Sequence, residues 1–222
     1  MDSGEPAASL VALDEITRRL RRDCPWDREQ DERSIVPHTM EEAYELADAA
    51  NHGDDAKMLD ELGDVLFQVY FLSLLLEERG QGDLAAVAEH CRQKLIRRHP
   101  HVFGDAEAED AATVLKNWDQ IKRAEPGRGG HEVFHDVPEN LPSLLYARKL
   151  LRRATSGSDF EHPDRDSLRR RLQQRLEVEP ESFEAIGDVL FDCVALARDA
   201  GVDPELALRA AADRFRKAID DT

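Results

Sequence analysis

Four carboxylates at one-turn spacing are the residues best placed to do chemistry in this chain. Glu42 and Glu45 stand three residues apart, as do Glu61 and Asp64, within EEAYELADAANHGDDAKMLDELGD at 41–64. On α-helices each pair projects from one face. Four acids brought together repel one another and lose hydration unless a cation sits among them. All-oxygen ligation suits magnesium, manganese or calcium better than zinc or copper, and magnesium commonly shares its sphere with substrate phosphates. The competing reading is a solvated acidic face, natural in a chain with 35% charged residues. Against it, Leu62, Val65, Leu66, Val69 and Leu72 make the second helix strongly apolar directly beside Glu61 and Asp64.

For the pairs to meet, their helices must fold back on one another. Asn51-His52-Gly53-Asp54 reads as a stop and a new start, with Gly53 suited to the left-handed position and Asp54 to the cap of the next helix. So short a connection makes antiparallel neighbours. Upstream, Leu10 to Arg22 has a helical apolar period and a basic last turn, and Asp23 to Asp27 breaks the pattern. A helix is predicted to resume by Pro37 to Thr39, where Thr39 and Glu42 have the spacing of a capping box. The second hairpin helix is predicted from about Asp54 to Glu78, stopping at Gly80.

Asp83 can cap a further helix from Leu84 to about His99, whose last turn carries Lys94, Arg97, Arg98 and His99. That basic turn either compensates the helix dipole or lines a phosphate-binding edge for a ligand held by the acids. His101 to Ala112 reads as an acidic loop, and Thr113 to Arg123 as a short helix bearing Trp118 and Lys122. Pro126-Gly127-Arg128-Gly129-Gly130 is the clearest linker signal and divides the chain.

Helical pattern returns at Leu141 to Arg153, at Asp166 to Glu177, and from Ser182 to Asp220 with a break at Gly201. An internal echo accompanies it: LGDVLFQV at Leu62 to Val69 matches IGDVLFDCV at Ile186 to Val194, which points to a duplication. The second copy keeps Asp188 for Asp64 but has Ala185 in place of Glu61, and its upstream segment is basic, with Arg169, Arg170, Arg171 and Arg175. It reads as a structural copy. No stretch alternates convincingly as a strand, and no glycine-rich phosphate loop is present, so the expected fold class is all-α.

The 222 residues suffice for one large or two small domains, and a net charge of −17 disfavours nucleic acid or an anionic membrane as the main partner. The longest apolar run, Val65 to Leu76, falls well short of the roughly 20 residues a membrane span needs. With no secretory signal and only the scattered Cys24, Cys91 and Cys193, free thiols in a reducing cytoplasm are the expectation.

Taken in order, CPWDREQ at Cys24 to Gln30, EEAYE at Glu41 to Glu45, DELGD at Asp60 to Asp64, KLIRRHPHVFGD at Lys94 to Asp105 and NWDQIK at Asn117 to Lys122 resemble the MazG nucleoside triphosphate pyrophosphohydrolases. These belong to the all-α NTP pyrophosphatase superfamily, and the resemblance is to their tandem two-domain form. It implies an N-terminal domain at 1–125 carrying the metal site, a linker at 126–140 and a degenerate C-terminal domain at 141–222. It also implies a four-helix bundle completed by dimerisation, hence a homodimer. Glu42, Glu45, Glu61 and Asp64 would ligate magnesium, with manganese as a substitute. Glu41 would sit beside the ligands and help orient the attacking water, and Lys57 would lie near the phosphates. Lys94, Arg97 and Arg98 would neutralise the triphosphate, and Trp118 and Trp26 would lie near the base. The implied reaction converts a nucleoside triphosphate to the monophosphate and pyrophosphate, as nucleotide-pool house-cleaning.

Two other readings compete. A ferritin-like di-iron bundle needs two ExxH motifs, and only Glu132 and His135 show that spacing, beside the linker. A catalytically silent nucleotide-sensing or partner-binding protein would keep the helices, but the intact acid set of the first half counts against it.

Overall fold

The computed structural model describes residues 6–108, 110–125, 133–135, 137–158, 160–178 and 182–221. The linker signal, 126–130, lies outside the described residues, as does Glu132 of the ExxH spacing. Among the described residues the secondary structure is helical, with no strand, as the all-α expectation requires. None of these helices is long and apolar enough to cross a membrane. The chain divides into two compact units, Met1–Ile96 and Arg97–Thr222.

In the first unit α1 spans Pro6–Asp23, α2 is a single turn at Pro25–Glu29, and α3 runs Glu32–His52. The start of α3 differs from the expected one. Asp31 is extended and accepts a hydrogen bond from the Ser34 backbone N–H, while the Ser34 hydroxyl receives the Asp31 N–H, so the capping box forms here. Thr39 instead donates its hydroxyl to the Ile35 carbonyl inside the helix. Pro37 sits within α3, in its second turn, where it has no N–H to give the Arg33 carbonyl.

The hairpin closes as expected. Gly53 adopts φ 68°, and the Asp54 side chain accepts from the Lys57 N–H at 3.0 Å to open α4, Asp55–Glu78. α3 and α4 pack along their length around Ile35, Phe71 and Leu75, with Phe67 and Leu72 against them. α1 lies on α4, where Arg18 pairs with Glu77 at 2.7 and 3.0 Å and Arg21 with Glu78 at 2.8 Å. α5, Leu84–Arg98, begins behind an Asp83 cap that accepts the Ala86 N–H at 2.7 Å.

The segment expected as an acidic loop opens with a one-turn helix, α6, Pro100–Phe103, set up by the proline at its first position. α7 (Ala111–Ala124), α8 (Ser143–Gly157), α9 (Arg165–Glu177), α10 (Phe183–Asp199) and α11 (Pro204–Asp220) follow, with Gly201 at φ 72° breaking the last pair. The core of the second unit is Leu151, Leu168, Val194 and Ala195. There α9 and α10 form a hairpin that α8 covers.

Candidate metal centre and its surroundings

The α3/α4 hairpin brings Glu42, Glu61 and Asp64 together, each offering a carboxylate oxygen within 4.8 Å of the others'. Their burial is graded: Glu61 is 5% exposed, Glu42 is half-buried and Asp64 is exposed. Glu45, the fourth expected ligand, is exposed and lies outside this trio, with a side-chain hydrogen bond to Glu61. Thus Glu42 faces Asp64 and Glu45 faces Glu61 across an antiparallel pair.

The electrostatics are those of crowded acids. Burial first, then the charge of Glu45 and the hydrogen bond to it, raise the proton affinity of Glu61, with Lys57 opposing. Burial and then Asp64, Glu45 and Glu41 raise that of Glu42, with His38 opposing. An all-carboxylate oxygen set whose members resist ionising together fits a hard divalent cation, which would favour the ionised state of every member.

The direction of these shifts gives a testable stability effect. A carboxyl whose folded value lies above the ordinary 4.5 binds protons that the unfolded chain has released. Between 4.5 and the raised value, stability contributed by these groups therefore increases as pH falls. His162 works the other way, since burial lowers its proton affinity, so the effect must be read as a difference. In chelator, the wild type should gain melting temperature relative to a Glu42→Gln, Glu61→Gln double variant as pH is lowered from about 7 to about 5. A gap between the two that is independent of pH would refute this.

The other expected site residues fall in several places. Glu41 is exposed beside the cluster, 3.7 Å from His38 Nδ1. Lys57, one turn before Glu61, has its ammonium 3.8 Å from Asp48. Trp26 is exposed and meets His38 edge-on, with ring centroids 6.0 Å apart. Lys94 lies half-buried on α5. Arg97, Arg98 and Trp118 belong to the second unit. Both arginines bind Glu125: Arg97 at 2.8 Å and, more deeply, Arg98 at 2.8 and 2.5 Å. Arg98 is 6% and Glu125 8% exposed. The Trp118 ring is flanked by Arg98, Lys122 and Arg152, at 5.1, 5.5 and 5.2 Å from its centroid. Arg152 also clamps Asp119 at 2.6 Å. The sequence reading did not single out Glu125, Asp119 or Arg152. The nearest signal was the run of unlike charges around Trp118.

The family model described as the MazG nucleotide pyrophosphohydrolase domain matches residues 30–103. The chain is 37% identical over 216 residues to a nucleoside triphosphate pyrophosphohydrolase of Escherichia coli strain K12, covering 91% of this chain and 82% of that protein. It is also 37% identical over 207 residues to the nucleoside triphosphate pyrophosphohydrolase/pyrophosphatase MazG of Thermotoga maritima, covering 90% and 80%. A crystal structure of a mazG-related protein from Thermotoga maritima aligns with TM-score 0.45 and 24% identity over 51% of this chain and 98% of that one.

Proposed function

Because this chain belongs to the MazG family of nucleotide pyrophosphohydrolases, and is an enzyme of that kind, we propose that its α3/α4 hairpin hydrolyses nucleoside triphosphates with magnesium, to nucleoside monophosphate and pyrophosphate. The observation that carries the reading is the convergence of Glu42, Glu61 and Asp64 within the residues the family model matches. Glu42, Glu45, Glu61 and Asp64 would hold the ion, manganese serving as a substitute. When bound, the ion neutralises phosphate charge and makes a water molecule more acidic.

The chain's own residues supply the rest. Hydrolysis breaks the anhydride between the α and β phosphates: the water's oxygen bonds to the phosphorus attacked, the bridging oxygen leaves with the other product, and the two protons pass to the products or to solvent. Glu41, exposed beside Glu42, would help orient the attacking water. Lys57 brings positive charge one turn from Glu61. The same reading assigns Lys94, Arg97 and Arg98 to the phosphates and Trp26 and Trp118 to the base. It takes 1–125 as the catalytic domain, 126–140 as linker and 141–222 as a degenerate copy.

A homodimer is part of the proposal. Leu59 and Leu62 on α4, and Val36 and Met40 on α3, are exposed, which supports a second copy completing a four-helix bundle. The biological role proposed is cytoplasmic nucleotide-pool house-cleaning.

The test is a panel of canonical and modified nucleoside triphosphates with magnesium, following monophosphate, pyrophosphate and orthophosphate separately. Equal monophosphate and pyrophosphate, abolished by EDTA, is the expected result. Orthophosphate as the first product would overturn the bond assignment. Nucleotide binding without turnover would replace catalysis with sensing.

A further inference from the structure

The repeat aligns Ile186 with Leu62, Asp188 with Asp64 and Asp192 with Gln68, and the structure honours it. Leu62 and Ile186 are both exposed, Gln68 and Asp192 both buried, and the next positions, Tyr70 with Val194 and Phe71 with Ala195, are buried pairs.

The facing helices can then be put in register. Across the first hairpin Glu42 faces Asp64 and Glu45 faces Glu61, three residues forward on one helix for three back on the other. Across the second, Arg175 pairs with Asp188 and Arg171 with Asp192, four forward for four back. Arg175 therefore stands where Glu42 stands, and Arg171 where His38 stands. Val178 and Ala185 take the places of Glu45 and Glu61. The trio Glu42, Glu61, Asp64 becomes Arg175, Ala185, Asp188.

We propose that the guanidinium of Arg175 is the resident cation of the second hairpin, occupying the position at which the first hairpin takes a divalent metal ion. This rests on the reading of the first cluster as a cation site. Arg175 binds Asp188, the surviving ligand position, and its Nε lies 2.8 Å from Oδ2 of Asp192. Arg171 supplies a second fork to Asp192, at 2.5 and 3.0 Å. Asp192, with its side chain 3% exposed, is thereby neutralised by its own chain. The duplication has exchanged an external cation for a covalently tethered one. The chain accordingly holds one metal-dependent hairpin and one metal-independent hairpin.

The full-length chain is titrated with Mn2+ alone, with free ion read by electron paramagnetic resonance and melting curves recorded in parallel. Glu61→Gln should weaken all Mn2+ binding at least about tenfold. Adding Arg175→Glu and Ala185→Glu to that variant rebuilds the trio around Asp188 and should restore one bound ion per chain. In that same Glu61→Gln background, Arg175→Glu should lower the melting temperature in chelator and recover it on adding Mn2+, whereas Arg175→Gln should show no such recovery.

Two results would overturn the proposal. One is a Glu61→Gln chain that still binds Mn2+ tightly and loses it on Asp188→Asn. The other is a folded Arg175→Glu, Ala185→Glu chain that gains neither ion nor thermal shift. Absence of Mn2+ binding by the wild type would instead refute the first-hairpin reading, while the gain at positions 175 and 185 still decides this one.

Discussion

Replacing Glu61 with glutamine should reduce monophosphate and pyrophosphate formation at least about 100-fold while leaving the helical fold intact. Glu61 is the most buried member of the cluster, so water is poorly placed to stand in for its charge. Glutamine keeps the shape and one acceptor oxygen but removes the negative charge that draws a divalent ion in. The same change should raise the melting temperature of the chelated protein at neutral pH, because the burial and then the repulsion from Glu45 that raise the proton affinity of Glu61 no longer bear on a charge. Activity and metal-free stability thus move in opposite directions, which a simple folding defect would not produce. Parallel steady-state assays and melting curves in EDTA check both signs, and a Glu61→Gln enzyme within a fewfold of wild-type activity would sink the assignment.

The second large effect belongs to Glu125. Its carboxylate receives forks from Arg97 and Arg98, and the hydrogen bond from Arg98 is the main influence holding its pKa at about 2. Glu125→Ala leaves Arg98 buried without its counter-charge and should cost about 3–5 kcal/mol. A compensating Arg98→Met in the same chain should recover much of that loss, since the penalty lies in the orphaned charge rather than in the missing attraction. Chemical denaturation of the three variants tests this, and an unchanged midpoint for Glu125→Ala would refute it. The acid limb follows in sign: a carboxyl depressed from 4.5 to about 2 contributes stability above 4.5, and that contribution is lost as pH falls toward about 2.

The acidic hairpin was legible in the sequence because its determinants are local. Gly53 and Asp54 set the turn, three-residue spacing set the faces, and the two helices then had only one way to bring Glu42 and Glu61 together. Pro37 reads as punctuation and puts the expected start of α3 too late, whereas the reciprocal bonds of Asp31 and Ser34 begin the helix. Short α2 and α6 rest on a proline at the first position and little else, too weak a pattern to weigh against a loop. Glu125 escaped notice for a different reason. Its partners lie 27 and 28 residues away, and nothing in the residues beside it reports a pairing at that distance. The missing ligand at Ala185 was legible, but the meaning of Arg175 required the hairpin register, which only the paired contacts supply.

The two arginine–glutamate forks between α1 and the end of α4 make the amino-terminal helix a latch held largely by ion pairs open to solvent. Beneath it sits Phe71, with the Arg21 guanidinium 5.8 Å from its ring centroid. Ionic strength screens such exposed pairs, while the apolar packing of Ile35, Phe71 and Leu75 is indifferent to it. The latch and the hairpin are therefore governed by different solvent variables. A salt gradient should loosen the amides of α1 in hydrogen exchange and leave those of α3 and α4 protected, separating within one unit a fraying edge from a cooperative centre.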